Sequence, residues 1–347
     1  MSKIVSIILL VLIIAGSIIA CLAFGTGTGF TEKSRSFIIL ENKTDKKSVL
    51  AVMEKNSILS HNFAFSILST QLGIWKKIKS GKYEIRKGQS IWSIIRILKN
   101  SRLAEINLVI NKVRTKEDLA KLISKSLEPD SSYIMQFLSN NDSLKKFGVD
   151  TNTVFTLIIP NSYSYYWNTT LSNVFAKLAE SKTVFWQKNN RLTKASDIHL
   201  TTEQVYILAS IIEEETNDEG DKLKIASVYL NRLNIAMPLQ ACPTIKYAMK
   251  NFTLPRIYEK YLFNPSPYNT YRKKGLPPGP ICTPSPKTID IVLNAPKTDF
   301  LYFVAKSDFS GYHHFSSNFT EHNKYAKEYQ KALDIYLLKK KQNEPQP

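Results

Sequence analysis

The sequence predicts an α+β fold: an N-terminal transmembrane helix, then a body in which short strands alternate with capped amphipathic helices. An uncharged apolar run opens the chain, and hydrophobic patterns of period two and period 3.6 alternate through the rest. Stretches rich in Pro, Gly and Asn punctuate them. At 347 residues the chain exceeds what one hydrophobic core usually serves, so it is expected to divide into domains. A composition 43% hydrophobic and 22% charged excludes a collagenous or disordered polymer.

The apolar run extends from Ile4 to Phe24, interrupted only by Ser6, Gly16, Ser17 and Cys21. At ~1.5 Å per residue it reaches about 30 Å, the thickness of a bilayer's hydrocarbon core. A cleaved signal peptide would be shorter and end in a small-residue site. The lipobox-like Ile18-Ile19-Ala20-Cys21 is followed by Leu22, Ala23 and Phe24, where a mature lipoprotein turns polar. The run therefore reads as an uncleaved single span. Lys3 before it favours a cytoplasmic N-terminus and an extracytoplasmic body at the cell inner membrane. The 47 Lys and Arg against 29 Asp and Glu leave a formal charge of +18, which asks for an anionic partner. Export removes nucleic acid from the candidates and leaves lipid headgroups and an acidic wall polymer.

After this anchor (1–25) we place boundaries at 26–103, 104–195 and 196–335, followed by a basic polar tail, 336–347. Phe37 to Leu40 reads as a strand, Lys47 to Asn56 as a helix, and Phe63 to Trp75 as an amphipathic segment. From Gly81 to Ile95 an alternating strand, a Lys87-Gly88 turn and a helix capped by Ser90 succeed one another. Further on, Ile106 to Ile110 is a strand, Thr115 caps a helix through Ser126, and another helix follows Asp130. A strand is expected from Val154 to Ile159, then a helix from Leu171 to Trp186. Tyr163, Tyr165, Tyr166 and Trp167 read either as a sugar-stacking surface or as a half-buried loop anchor. Strands from Leu301 to Ala305 and around His314-Phe315, and a long helix from Thr320, close the chain. Cys242 and Cys282 are either one disulfide or two free thiols. No Cys/His group has zinc-ligand spacing, and His313, His314 and His322 are too loosely placed for a metal site, so no metal is expected.

The chemistry concentrates after Thr201-Thr202-Glu203-Gln204, a capping box that opens a helix. Val205, Leu208, Ala209, Ile211 and Ile212 form its apolar arc. With Leu208 at zero and ~100° per residue, Glu215 falls near 340°, inside that arc, whereas Glu213 falls near 140° and Glu214 near 240°. A carboxylate on the buried side loses hydration and its pKa rises toward neutrality, as a general acid requires. The other reading is a solvated helix end, which suits Glu214, although the macrodipole disfavours acids there. A second amphipathic helix runs from Asp221 to Asn234. Three Pro-stiffened loops, 237–244, 266–271 and 275–284, then supply the amide, hydroxyl and aromatic groups that a hydroxyl-rich ligand needs.

Two resemblances follow from these residues. Gly81 to Ile95 resembles the first half of a LysM module, which implies binding of N-acetylglucosamine glycans; a strand-helix unit without ligand is the other reading. More extensively, Leu208-Ala209-Ser210-Ile211-Ile212-Glu213-Glu214-Glu215-Thr216, Ala226 to Leu233, Leu239-Gln240, Pro243-Thr244, Tyr268-Asn269-Thr270-Tyr271, Gly275-Leu276-Pro277-Pro278-Gly279 and Leu301 to Ala305 stand in the order and spacing of the MltG/YceG-like endolytic murein transglycosylases. That resemblance implies Glu215 as the catalytic acid and Glu213 as a supporting acid. It also implies cleavage of the MurNAc–GlcNAc β-1,4 bond inside peptidoglycan strands to give 1,6-anhydro ends, without cofactor. Asn231, Arg232, Gln240, Thr244, Tyr268, Asn269 and Tyr271 are candidate substrate-binding residues, with loop bracing as their alternative. One departure stands out: the family usually carries Asp where this chain has Cys242. The resemblance further implies a terminator of nascent glycan elongation, with cell-wall synthases as candidate partners. A membrane-anchored peptidoglycan-binding scaffold and a two-carboxylate muramidase are the competing readings.

Overall fold

A computed structural model describes residues 3–254 and 256–343. The chain divides into two compact units. One runs to Leu108 and adds Ser124–Pro129 and Tyr163–Thr170; the other comprises Val109–Ile123, Asp130–Ser162 and the chain from Leu171 onward. The 104–195 stretch contributes to both.

In the first unit, α1 (Lys3–Phe24) coincides with the apolar run. From Ile4 to Ile14 its large apolar side chains are exposed, whereas Ala23 is buried and the Phe24 ring lies 6.1 Å from Trp92. The side chains of Lys3, Ala15, Ile18 and Ile19 lie outside the described residues, which covers part of the expected span and of the lipobox-like tetrapeptide. Among the described residues, no helix is long and apolar enough to cross a membrane.

There follow β1 (Ser34–Ile39), α2 (Lys46–Lys55), α3 (Asn62–Gln71), β2 (Gly81–Arg86), α4 (Ile91–Lys99) and β3 (Glu105–Ile110). β1 and β2 pair antiparallel from Ser34↔Arg86 to Ile39↔Gly81, so that Phe37 and Tyr83 face each other with stacked rings. Strand alternation puts Phe37, Ile39, Tyr83 and Ile85 on one face, where they meet Val49, Met53 and Phe65 from α2 and α3. The Ser90 hydroxyl accepts the Ser93 N–H at 3.2 Å and starts α4, whose Ile91, Ile94, Ile95 and Leu98 complete that core. Strand, turn and capped helix thus occur where the sequence predicts. β2 pairs back onto β1, with two helices between them in the chain.

The remaining elements are α5 (Lys116–Ser126), α6 (Ser131–Leu138), α7 (Asn141–Lys145), β4 (Asn161–Tyr166), α8 (Leu171–Gln187), α9 (Arg191–Asp197), α10 (Thr202–Ile212), α11 (Glu219–Asn234), α12 (Cys242–Ala248), α13 (Glu259–Leu262), α14 (Pro286–Leu293), β5 (Tyr302–Ala305), β6 (His313–Ser316) and α15 (Phe319–Asn343). β3 pairs with β4, and β5 pairs antiparallel with β6.

The strand expected at Val154 to Ile159 is instead a short 3-10 turn, Val154–Leu157. The run is buried on every side, a pattern that periodicity cannot assign, and the strand falls on the alternating residues beyond Pro160. Tyr163 and Tyr165 consequently point inward and Tyr166 outward, so the tyrosine cluster is a strand rather than a loop.

At the centre of the second unit lies α10, with every residue from Val205 to Ile212 buried. α9, α11 and α14 pack around it, which explains why it is apolar on all faces. Its two polar side chains in this run are satisfied: Tyr206 donates to the Ile158 carbonyl at 2.6 Å, and Ser210 donates to the Ile207 carbonyl at 2.7 Å. The Ser210 hydroxyl also accepts the Ile281 N–H at 3.0 Å, docking the 275–284 loop onto the helix.

Candidate active site

The capping box fixes the start of α10: the Thr201 hydroxyl accepts the Gln204 N–H, and the Gln204 side chain accepts the Thr201 N–H. Its end is earlier than the sequence suggests. Regular helix stops at Ile212, and Glu213, Glu214 and Glu215 form a tighter turn in which the last two amides bond three residues back, to Ile211 and Ile212. The catalytic glutamate expected on a helix therefore stands just beyond one.

The turn sends the three carboxylates into different surroundings. Glu214, expected to be solvated, is clamped: Arg114 donates to both its oxygens at 2.9 and 3.0 Å, and Lys112 approaches to 2.9 Å. Glu213 accepts from Lys222 at 2.9 Å, from Ser285 at 3.3 Å and, at close range, from Thr288. Burial pushes its pKa up, but the Thr288 and Lys222 hydrogen bonds and the Lys222 charge outweigh that and hold it below the usual glutamate value. Glu213 is thus a fixed anion that anchors the turn. It does not supply a proton.

Glu215 has no ion-pair partner among the described residues. Its Oε1 accepts the Tyr229 phenol at 2.5 Å. Burial raises its pKa to about 7, partly opposed by the Tyr229 hydrogen bond and by the more distant charges of Lys246 and Arg232. The carboxyl lines a cleft of about 280 Å³ together with Arg232, Gln240, Cys242, Tyr271 and His322. Tyr229 itself is fully buried in α11, with its ring edge-on to Phe303 at 5.7 Å. Sequence reasoning missed it as a functional residue. The available signal was a tyrosine three residues after Ala226 on the apolar stripe, where its hydroxyl needs a buried partner.

The candidate binding residues separate into two groups. Gln240, Tyr271 and Arg232 are brought to the Glu215 cleft, and Cys242 joins them, its thiol 3.1 Å from the Tyr271 hydroxyl. Arg232 also holds the walls together, donating to the Leu301 carbonyl at 2.7 Å and to the Leu239 carbonyl at 2.7 Å. Asn231, Thr244 and Asn269 brace the frame instead. Asn231 donates to the Thr298 and Phe300 carbonyls, Thr244 to the Ala241 carbonyl, and Asn269 to the Leu262 and Asn264 carbonyls. Tyr268 lines a different cavity.

The two cysteines expected as a possible pair are free thiols. Cys282 is buried and donates to the Ser210 carbonyl at 3.3 Å, while Cys242 stands at the cleft. Burial, and next the Glu215 charge, push the Cys242 thiol above its usual pKa, so it is neutral where the resemblance leads one to expect an aspartate. Among the described residues no group of three or more His, Cys, Asp or Glu side chains is placed to hold a metal ion. His313 is engaged by Asp221, with Nδ1 2.8 Å from its Oδ2.

A larger cavity of about 410 Å³ lies in the same unit, lined by Tyr247, Phe252 and Tyr268 among others. Its carboxylate, Glu117, has its pKa lowered, chiefly by hydrogen bonding to its own backbone N–H. Proton-transfer chemistry therefore points to the smaller cleft, where the one carboxyl has a pKa near neutrality.

Comparison with known proteins places the chain in a family. Residues 38–328 match the YceG-like family. An endolytic murein transglycosylase of Bacillus subtilis is 28% identical over 298 residues, covering 81% of either chain. An endolytic murein transglycosylase of Streptococcus pneumoniae is 26% identical over 285 residues, covering 73% of this chain and 51% of its own. The 2.6 Å crystal structure of a YceG-like protein from Listeria monocytogenes superposes with a TM-score of 0.55 at 23% identity, covering 85% of this chain and 99% of its own. Matched from the first strand of the body into its last helix, the chain belongs to the YceG-like family.

Proposed function

We propose that the chain is an endolytic peptidoglycan lytic transglycosylase that cleaves the MurNAc–GlcNAc β-1,4 bond and leaves a 1,6-anhydro end. The observation that carries this is Glu215, a carboxyl with a pKa near 7 in a cleft whose other titratable walls are a guanidinium, a neutral thiol, a phenol and an imidazole. Hydrolysis by the usual route needs a second carboxylate to activate water or attack the sugar. An intramolecular route does not. Neutral Glu215 donates its proton to the glycosidic oxygen as the bond to C1 breaks, and the resulting carboxylate stabilises the oxocarbenium-like centre. The MurNAc 6-hydroxyl then bonds to C1 and gives its proton to Glu215, which restores the acid.

Tyr229 serves both stages. Its hydrogen bond stabilises the carboxylate form, so the acid gives up its proton more readily than burial alone would allow, while burial keeps the proton available near neutral pH. Gln240, on a backbone with φ of 53°, and Tyr271 line the cleft and supply polar contacts to hydroxyl and acetamido groups.

The exposed apolar side chains of α1 support a membrane anchor, with the body on the outer side of the cell membrane. In that setting the enzyme trims strands as they leave the membrane and so ends their elongation, close to the synthases that make them. The unit carrying β1 and β2 adds a glycan-binding surface of LysM type. Mass spectrometry of products released from purified sacculi tests the central reading. Anhydro-muropeptides from the wild type and none from Glu215→Gln are expected. Reducing ends would mean a muramidase, and sedimentation with sacculi without release would mean a scaffold.

A further inference from the structure

The larger cavity has a feature that the cleavage step does not use. Lys116, at the first position of α5, is half-buried in its wall and forms no ion pair among the described residues. Asp150 and Glu117 lie close enough to favour its charge, yet each is engaged elsewhere. Asp150 accepts from the Asn152 and Thr153 amides and the Thr153 hydroxyl, and Glu117 pairs with Lys250 at 3.4 Å. A partly desolvated ammonium whose neighbouring carboxylates are bound elsewhere is only partly compensated, and an anion entering the cavity would add to that compensation.

Part of the lining is aromatic. Tyr247 and Tyr268 lie ring against ring at 4.7 Å, and Phe252 stands beside Tyr247 at 6.3 Å. The cavity is held to this shape by close backbone packing. A Cβ on Gly279 would fall 2.1 Å from the Asn152 carbonyl and 2.9 Å from the Tyr268 hydroxyl, which accounts for the glycine ending Gly275-Leu276-Pro277-Pro278-Gly279. α12 links the two cavities: Cys242 at its start lines the Glu215 cleft, and Tyr247 near its end lines the larger one. Five residues of helix separate them by about 7 Å along the axis.

We infer that the larger cavity is a second subsite for the same glycan strand, in which an aromatic wall receives a sugar and Lys116 receives a carboxylate of the peptide carried on that strand. Resting on the transglycosylase reading, it names what the enzyme reads beyond the scissile bond: a peptide-bearing strand rather than bare glycan.

The test compares full-length wild type with Lys116→Met and Lys116→Arg on two substrates, strands carrying their peptides and strands stripped of them by an amidase. Wild type is expected to favour the peptide-bearing strands in kcat/KM by about tenfold, the scale of one charge-assisted hydrogen bond. Lys116→Met should abolish that preference while leaving cleavage of stripped strands unchanged, and Lys116→Arg should restore most of it. An unchanged substrate ratio in Lys116→Met, or an equal loss on both substrates, overturns the subsite. Absence of cleavage of either substrate by wild type would remove the transglycosylase reading as well, so the two failures are distinguishable.

Discussion

Glu213 and Glu215 are the same residue type two positions apart on one turn, and the structure gives them opposite properties. On the Glu213 side, Lys222, Thr288 and Ser285 converge, so the carboxyl stays ionised and ties α10 to α11 and α14. On the Glu215 side a single phenol approaches, and burial leaves the carboxyl titrating near neutrality. Desolvation acts on both. What differs is whether a cation and several donors answer it, which separates an anchor from an acid.

Substitution should expose that difference most sharply through activity. Glu215→Gln is expected to lower turnover on sacculi by on the order of 10²–10⁴-fold, the usual contribution of a general acid. It should also raise stability at alkaline pH. Because the folded-state pKa is raised to about 7 from 4.5, holding the ionised carboxyl costs stability that grows as pH rises through that interval. Removing the charge should recover up to about 3 kcal/mol at pH 8, read as a higher melting temperature. A lower melting temperature at pH 8 than wild type would contradict the description of this carboxyl.

Glu213→Gln should do the reverse to stability. It strands the buried Lys222 ammonium, for which a loss of about 3–5 kcal/mol is expected in denaturant titration. The wild-type contribution of Glu213 is present above the usual carboxylate range and disappears as pH falls through its lowered pKa, so the gap between wild type and variant should narrow in acid. Equal loss of stability at all pH values would remove the ion pair as its cause.

Smaller effects should refine the Glu215 side. Tyr229→Phe removes the hydrogen bond that lowers the Glu215 pKa, so the alkaline limb of the pH–rate profile should move upward while turnover falls by about tenfold. Smallest of all, Cys242→Asp places a second carboxylate in the cleft and should raise the same limb, whereas Cys242→Ser should leave it in place. A downward shift in either Tyr229→Phe or Cys242→Asp would mean that other charges govern the acid.

Much of this was legible in the sequence because it is encoded locally. Ser90, Thr115, Asp130 and Thr201 announce helix starts through cap chemistry that depends only on the next three residues. α14 carries the same signal, Ser285 before Pro286, yet the sequence analysis places no helix there, directly after the Pro-rich 275–284 loop. The wheel assigned Glu215 to the interior although it assumed helix where the chain tightens into a 3-10 turn; the difference in pitch was too small over three residues to change the outcome for Glu215. What the wheel could not supply is the fate of the neighbours, whose partners Arg114 and Thr288 come from positions 100 and 75 residues away. Asn231 and Asn269 read as ligand groups because an amide has the same inventory whether it binds a sugar or a carbonyl. Only the fold shows their Nδ2 groups already occupied by backbone.

The short turn after α10 also bears on how the sequence can change. Three chemically equivalent side chains are told apart there by position alone, each addressed by a different set of distant partners. Side-chain substitutions elsewhere can drift without disturbing that address. A single-residue deletion or insertion between Ile212 and Thr216, however, would shift the register, turning an ion-paired anchor toward the cleft and the proton donor toward a lysine or an arginine. The composition of such a variant would be almost unaltered, yet anchor and acid would have exchanged addresses, so length should be held more tightly here than in the loops that flank it.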